Sequence, residues 1–299
     1  AYQAFFRRVK TMKKGEAPGF PHFKRRDEWD SIIYRTNGYR VEDGHLIITK
    51  CGIAPEMRIP LLMHRAQLGT IKTMAIKREA DGWHCVLSCD LGEIQIEQRV
   101  GGPEIGIDVG LKTFAVASDG QTVESPKYYA KVQKQLRRAQ RSLSRKQKGS
   151  NRRKKAKEQV AKLHLHVKNQ RRDFQFKAAR TVIGENSMVA HEKLDIRQMV
   201  EHAQEETTEK EKARLRRAIT DAGWGGFFEI LKQKGEETGT RIVAVPAAFT
   251  TRQCSKCGVI GRIRLKLSQR VFRCEHCGHV QDRDLNAAKN VLARAKAIG

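Results

Sequence analysis

Cys254-Ser255-Lys256-Cys257-Gly258, Cys274-Glu275-His276-Cys277-Gly278 and Asp282-Arg283-Asp284-Leu285-Asn286-Ala287-Ala288 follow one another near the C-terminus. Each Cys-x2-Cys places two thiolates on one tight turn, and the glycine after it lets the backbone fold round an ion. Two such knuckles, with 16 residues between Cys257 and Cys274, make a tetrahedral four-sulfur site. Zinc suits a structural thiolate site with no redox signature. So small a segment has too little core of its own, so its folding should depend on the metal. His276 and His279 are lesser alternative donors. Asp284 opens a helix over 284–297 rich in Ala, Leu and Lys; taken alone it reads as an N-cap or first-turn acid.

Working outward, two other carboxylates stand at the ends of apolar strands. Asp108 ends Gly106-Ile107-Asp108-Val109-Gly110, inside a strand, glycine turn and strand over 104–118. Glu192 ends Val189-Ala190-His191-Glu192-Lys193-Leu194. Singly, Asp108 is a turn residue and Glu192 a surface acid. Together, three carboxylates without arginine neighbours repel one another, a cost offset when cations sit between them. Such a set can hold two Mg2+ ions about 4 Å apart for phosphodiester chemistry.

The whole chain of 299 residues is long enough for about two domains and carries a formal charge of +26. That balance calls for a polyanion; nucleic acid comes first and an anionic membrane surface second. Residues 131–180 hold 19 Lys+Arg against 2 Asp+Glu. A solvated helix face normally mixes signs for i,i+4 support, and this stretch does not, so it reads as a nucleic-acid-facing hairpin. Its helices are expected over 127–148 and 152–183, broken at Gly149-Ser150-Asn151, with Ser125-Pro126 as cap and first helical position. No apolar run reaches the ~18 residues of a transmembrane helix. No signal-peptide pattern or starting Met is present, which suggests sequence missing upstream.

Seven cysteines, an odd number, argue against a pure disulfide framework. Cys51, Cys85 and Cys89 read as buried small hydrophobes or free thiols in a reducing cytoplasm. Residues 1–100 read as mostly β, with a hairpin at Ala80-Asp81-Gly82 and short strands that suggest a small barrel or sandwich. Before them, Phe5-Phe6-Arg7-Arg8 and Phe20-Pro21-His22-Phe23-Lys24-Arg25-Arg26 interleave rings with cations. Such stretches stack bases and bind phosphates, or else are an ordinary barrel rim with core phenylalanines. Residues 201–217 read as a solvated helix and 218–235 as a core-packing helix around Trp224 and Phe227.

Gly106 to Lys112, His191 to Leu194, Phe249 to Gly258, Cys274 to Gly278 and Asp282 to Val291 together resemble the transposon-encoded TnpB proteins, which are related to type V CRISPR effector nucleases. The resemblance implies an α+β multidomain chain. A wedge-type β-barrel over 1–100, its N-terminal part missing, is followed by a RuvC-like, RNase H-like nuclease domain over 101–249 with the basic hairpin at 127–183. A zinc ribbon spans 250–281, and the last RuvC motif with the C-terminal helix spans 282–299. It also implies an RNA-guided, Mg2+-dependent DNA endonuclease of a transposon. Asp108, Glu192 and Asp284 would be its catalytic magnesium ligands, with Asp282 as backup. Cys254, Cys257, Cys274 and Cys277 would bind one structural Zn2+. Guide RNA and target DNA would be the partners, in a cytoplasmic, nucleoid-associated setting of a bacterial or archaeal cell. The family commonly has an apolar residue before the glutamate and an acid after it; here these are His191 and Lys193. Two other readings stay open: a relative that binds RNA and DNA without cutting, and a guide-independent RNase H-like resolvase or transposase.

Overall fold

The computed structural model describes residues 2–12, 15–22, 29–35, 37–49, 55–202, 208–262 and 269–298. The chain divides into two compact units, Ala1–Ile94 and Gln95–Gly299.

The first unit opens with a helix, α1 (Tyr2–Thr11), which covers the first part of the aromatic–cationic stretch. Phe5 is its buried residue, stacked on Phe20 at 5.0 Å and edge-on to Phe6 at 5.3 Å. The aromatic–cationic stretch therefore splits. Phe5 is core, Phe6 and Phe20 keep exposed rings, and residues 23–28 lie outside the described residues, as does Cys51. Six strands follow: β1 (Ser31–Tyr34), β2 (Tyr39–Glu42), β3 (His45–Ile48), β4 (Met57–Pro60), β5 (Thr70–Glu79) and β6 (Gly82–Asp90). They form two three-stranded sheets, β1-β5-β6 and β2-β3-β4. Leu46, Ile48 and Met74 are buried between them, with Tyr34, Tyr39, Ile76 and Leu87 packed around. Among the described residues the strands thus form two separate three-stranded ladders around one small core. The β5–β6 hairpin turns at Ala80 and Asp81, with Gly82 already paired to Glu79. Cys85 packs against this core as a small hydrophobe, and its burial raises the thiol pKa.

In the second unit a five-stranded sheet has the order β11-β10-β7-β8-β9. Its strands are β7 (Glu104–Val109), β8 (Thr113–Ala117), β9 (Thr122–Glu124), β10 (Met188–Lys193) and β11 (Arg241–Pro246). β7, β8 and β9 pair antiparallel, whereas β10 and β11 run parallel to β7. Between β9 and β10 come α2 (Tyr128–Ser144) and α3 (Asn151–Ile183). Helix α2 starts at Tyr128 from Lys127 in a left-handed conformation, φ 51°, so Ser125-Pro126 is not its cap. Ser150 caps α3, its Oγ accepting from the Arg153 N–H. Arg153 then donates to the carbonyls of Lys146 and of Leu143, the latter also accepting from the Lys146 N–H, and so ties the start of α3 to the end of α2. Only the far half of α3, from Val167 onward, carries buried residues; its first half is exposed or partly so.

α4 (Ile196–His202), α5 (Glu209–Ala222) and α6 (Trp224–Thr238) link β10 to β11. The expected core helix around Trp224 is α6, with Gly223 breaking it from α5 at φ 66°. The expected solvated helix is α5, beginning later than anticipated; residues 203–207 are outside the described residues. The cysteine segment carries a small antiparallel pair, β12 (Val271–Arg273) and β13 (Val280–Asp282), and leads directly into α7 (Arg283–Ile298). One face of the sheet packs on α3 and α6 through Ile105, Ile107, Phe114, Val189 and Phe227. The opposite face meets α7 through Met188, Ala190, Val245, Val291 and Ala295.

Candidate active site

Side chains alternate across a strand, and this alternation places two of the singled-out acids. Ile105 and Ile107 of β7 point to α3 and α6, so Gly106 and Asp108 point to α7. On β10, Met188 and Ala190 face α7, and Glu192 does likewise. Ala190 pairs with Gly106 and His191 with Ile107, so Asp108 and Glu192 stand level one step further along.

Asp284 comes from α7, and Gly106 decides how near that helix lies. A Cβ at Gly106 would collide with the Ala288 carbonyl oxygen and stand 2.5 Å from the Leu292 nitrogen. The bare glycine lets helix backbone touch strand backbone, and buried Ala287 and Ala288 keep that approach close. Asp284 lies one turn before Ala288 on the same helix. Asp282 supplies the cap instead: its Oδ1 accepts from the N–H groups of Asp284 at 2.9 Å and Leu285 at 3.0 Å. Asp284 is thus a first-turn acid whose carboxylate is spared the capping role.

Asp108 feels the other two acids. Burial raises the Asp108 carboxyl well above the ordinary carboxylate range, and the charges of Glu192 and Asp284 raise it further. Burial also raises Glu192; a hydrogen bond from Thr250 and the charge of Arg294 oppose that rise. The expectation of acids without arginine neighbours needs correcting at Asp284. Arg283 donates to its Oδ1 from Nε at 3.0 Å and Nη2 at 2.9 Å, and Arg270 Nη1 donates to Oδ2 at 3.2 Å. A cavity of about 240 Å3 opens beside Asp284, lined in part by Lys112, Thr113, Arg270 and Asp282. His191 is turned away from the acids. Its ring stacks on Phe228 at 4.3 Å, and burial lowers its pKa.

The four cysteines meet. Their sulfur atoms all lie within 4.8 Å of one another, the one such group among the described Cys, His, Asp and Glu residues. Cys254 and Cys277 are 3.7 Å apart, as are Cys257 and Cys274. Four bonds of about 2.3 Å to a tetrahedral ion would hold sulfurs about 3.8 Å apart, so the cluster fits a metal such as zinc. Both knuckles repeat one hydrogen-bond pattern. Cys254 N donates to Val259 O and Gly258 N to Cys254 O; Cys274 N donates to His279 O and Gly278 N to Cys274 O. Gly258 and Gly278 have φ of 77° and 69°, a backbone state that favours glycine. The sulfurs compete for protons. Backbone N–H groups of Cys277 and His276 lower Cys274. Cys257, although the Val259 N–H lowers it, is raised by burial and the other sulfurs. His279 bonds Gln281 rather than joining the cluster.

A cavity of about 960 Å3 lies between α2 and α3, and none of its described lining residues is a carboxylate. Lys134, Arg138, Lys146, Arg152 and Lys155 do, above a floor of Ala139, Ala156 and Leu163. Five cations over an apolar floor make an anion-facing surface rather than a reaction centre. Sequence reading gave no role to Arg270, Arg283, Thr250, Asn286 or Asn290, although all but Arg270 stand within the stretches that carry the resemblance.

Residues 89–203 match the family model described as "Probable transposase" (OrfB_IS605), and residues 224–291 match one described as "Cas12f1-like, TNB domain". An Escherichia coli relative named "Putative RNA-guided DNA endonuclease InsQ" is 30% identical over 305 residues, covering 100% of this chain and 72% of that protein. The chain belongs to the TnpB family. A second relative of this TnpB-family chain, from Streptomyces pristinaespiralis and named "Putative RNA-guided DNA endonuclease", is 30% identical over 93% of the chain. The chain spans 66% of that protein. A solved structure entitled "Cryo-EM structure of the Cas12f1-sgRNA-target DNA complex" is similar at a TM-score of 0.45 and 18% identity, over 96% of this chain and 74% of that one. A likeness so distant assigns no residue, and the site rests on the chain's own geometry.

Proposed function

We propose that this chain is the nuclease portion of an RNA-guided DNA endonuclease of a transposon. Asp108, Glu192 and Asp284 would be its divalent-metal ligands, on an RNase H-like (RuvC-like) core. The observation that carries this reading is that β7, β10 and α7 bring Asp108, Glu192 and Asp284 to the C-terminal ends of two neighbouring strands, near enough that the charges of Glu192 and Asp284 act on Asp108. A group of buried acids is destabilising unless a cation is its purpose. The sheet order, three antiparallel strands followed by two parallel ones, supports the RNase H-like core. Mg2+ bound there supplies water activation and charge neutralisation on the leaving 3′ oxygen.

The chain's own residues do the rest. Asp108 and Glu192 present oxygens from rigid strands, and Arg270 and Arg283 orient Asp284. Lys112 stands at the mouth of the adjoining cavity, where a phosphate would enter. The thiolate cluster holds structural Zn2+. The basic hairpin and the N-terminal unit, in a wedge-type role, grip guide RNA and target DNA by backbone charge and A-form shape, while base pairing supplies specificity.

Purified protein with its bound RNA and Mg2+ should cleave a matched DNA, and Asp108→Ala should cut the rate at least about a thousandfold. Cleavage by Asp108→Ala at the parental rate would sink the assignment of the acids. Sequencing RNA that copurifies with the protein tests the guide: a defined transposon-encoded RNA is expected, and none would favour a guide-independent nuclease.

A further inference from the structure

One face of α7 does not pack on the sheet. Asn286, Asn290 and Arg294, each four residues from the next, turn instead to the loop between β11 and the first knuckle. Asn286 Nδ2 donates to the Gln253 carbonyl at 2.8 Å, and its Oδ1 accepts from the Ser255 N–H at 2.9 Å. Asn290 Nδ2 donates to the carbonyls of Thr250 at 2.8 Å and Gln253 at 2.7 Å. Arg294 reaches the carbonyls of Pro246 and Ala248 and the side chain of Gln253. Both asparagines are buried, so their bonds are costly to break.

The loop they hold is bent. Phe249 has φ 65°, a left-handed backbone that costs a residue with a Cβ roughly 1–3 kcal/mol. Its carbonyl accepts from the N–H groups of Arg252 and Gln253, closing the turn. The next residue, Thr250, is buried, and its hydroxyl lies within hydrogen-bond distance of two acceptors, Glu192 Oε1 and the Ala247 carbonyl at 3.1 Å. Glu192 Oε2 accepts no hydrogen bond among the described residues.

We infer that Thr250 is a positioning residue for Glu192, held in place by Asn290. The hydroxyl holds the Glu192 carboxylate through one oxygen and leaves the other without a hydrogen-bond donor among the described residues. Helix α7 thereby sets two of the three acids. It carries Asp284 in its first turn and, six residues on, the asparagine that secures the partner of Glu192. A threonine hydroxyl has a single proton to give, and of its two acceptors the charged carboxylate is the stronger, so the proton goes to Glu192 while the Ala247 carbonyl stands beside it at 3.1 Å. This inference rests on the proposed metal-ligand role of Glu192.

The test measures Mn2+ binding by calorimetry on the intact protein alongside cleavage, zinc content and Tm. Thr250→Val keeps the side-chain shape and removes the donor. It is expected to weaken Mn2+ binding about tenfold or more, the usual cost of losing a ligand's hydrogen-bond partner, with zinc content and Tm unchanged. Thr250→Ser, which keeps the hydroxyl, should return to within about threefold of the parent on the same scale. Asp108→Ala serves as the control: if it binds Mn2+ and cleaves like the parent, the metal-ligand reading itself fails. If that control behaves as expected while Thr250→Val binds and cleaves like the parent, the positioning role alone is overturned. Should Thr250→Val not fold, Thr250→Ser is set against Thr250→Ala. A gap of about tenfold supports the role, and equal affinity overturns it.

Discussion

The thiolate cluster and the carboxylate edge are both sets of metal-ligand side chains, yet they are assembled by different physics. The sulfurs come from two copies of one local turn, each with its own glycine and its own pair of backbone hydrogen bonds. The acids come from positions as far apart as 108 and 284, and no local bond links them. What brings them together is packing: strand alternation turns Asp108 and Glu192 to one face, and Gly106 lets α7 lie against that face. A local site is built before the fold is complete; a packed site exists only as well as the core that carries it.

The largest effect should come from breaking the local site. Cys274→Ser, or a strong zinc chelator, should unfold the segment 250–281, because binding energies of roughly 10–16 kcal/mol hold such segments together. Since β13 runs straight into α7, cleavage should be lost with it; circular dichroism and a nuclease assay read both. A chelated protein that still cleaves would separate the two sites. Gly106→Ala attacks the packed site instead. The methyl group must push α7 away, at a cost of about 2–3 kcal/mol, visible as a lower Tm. Cleavage should fall while zinc content stays at one per chain.

A smaller effect, of opposite sign, is expected from Asp108→Asn. The folded Asp108 carboxyl is raised above its unfolded value, so the folded state binds its proton more tightly and stability falls as pH rises through the ordinary carboxylate range and on to the raised value. Removing that charge should raise Tm at neutral pH without added divalent metal and flatten this pH dependence, while abolishing cleavage. A lowered Tm would mean that the carboxylates are not in conflict. The smallest effect concerns the hairpin cleft. Arg138→Glu should weaken nucleic-acid binding and reduce the slope of log K against log salt by about 1, with Tm unchanged.

How much was legible in the sequence follows the same divide. Knuckle spacing is a local pattern, and the strand ends at Asp108 and Glu192 are local too, so these residues stood out. Arg270 on Asp284 was invisible, because nothing near Arg270 says that a helix start will fold back beside it; Arg283 is at least its neighbour in sequence. Thr250 looked like any loop threonine until Asn290, forty residues later, fixed its carbonyl. Asp282 and Asp284 could each be a cap, and only the observed bonds to Asp282 decide. The left-handed start of α2 at Lys127 overrode a plausible Ser-Pro cap, since Tyr129 N–H donates instead to Asp221 of α5. Helix α1 was missed because its rings and cations suit either a helix face or a strand edge.

The long helix of the basic hairpin has a mechanical meaning. Its outer half, residues 151–166, is a rod of about 24 Å clamped at its inner end. Along that length one strand of duplex DNA presents about seven phosphates. A cantilever of fixed length sets a footprint, as a jig sets the width of a cut. Trimming the hairpin by whole turns would shorten the gripped stretch in steps of about 5 Å, leaving the sheet that carries the acids untouched.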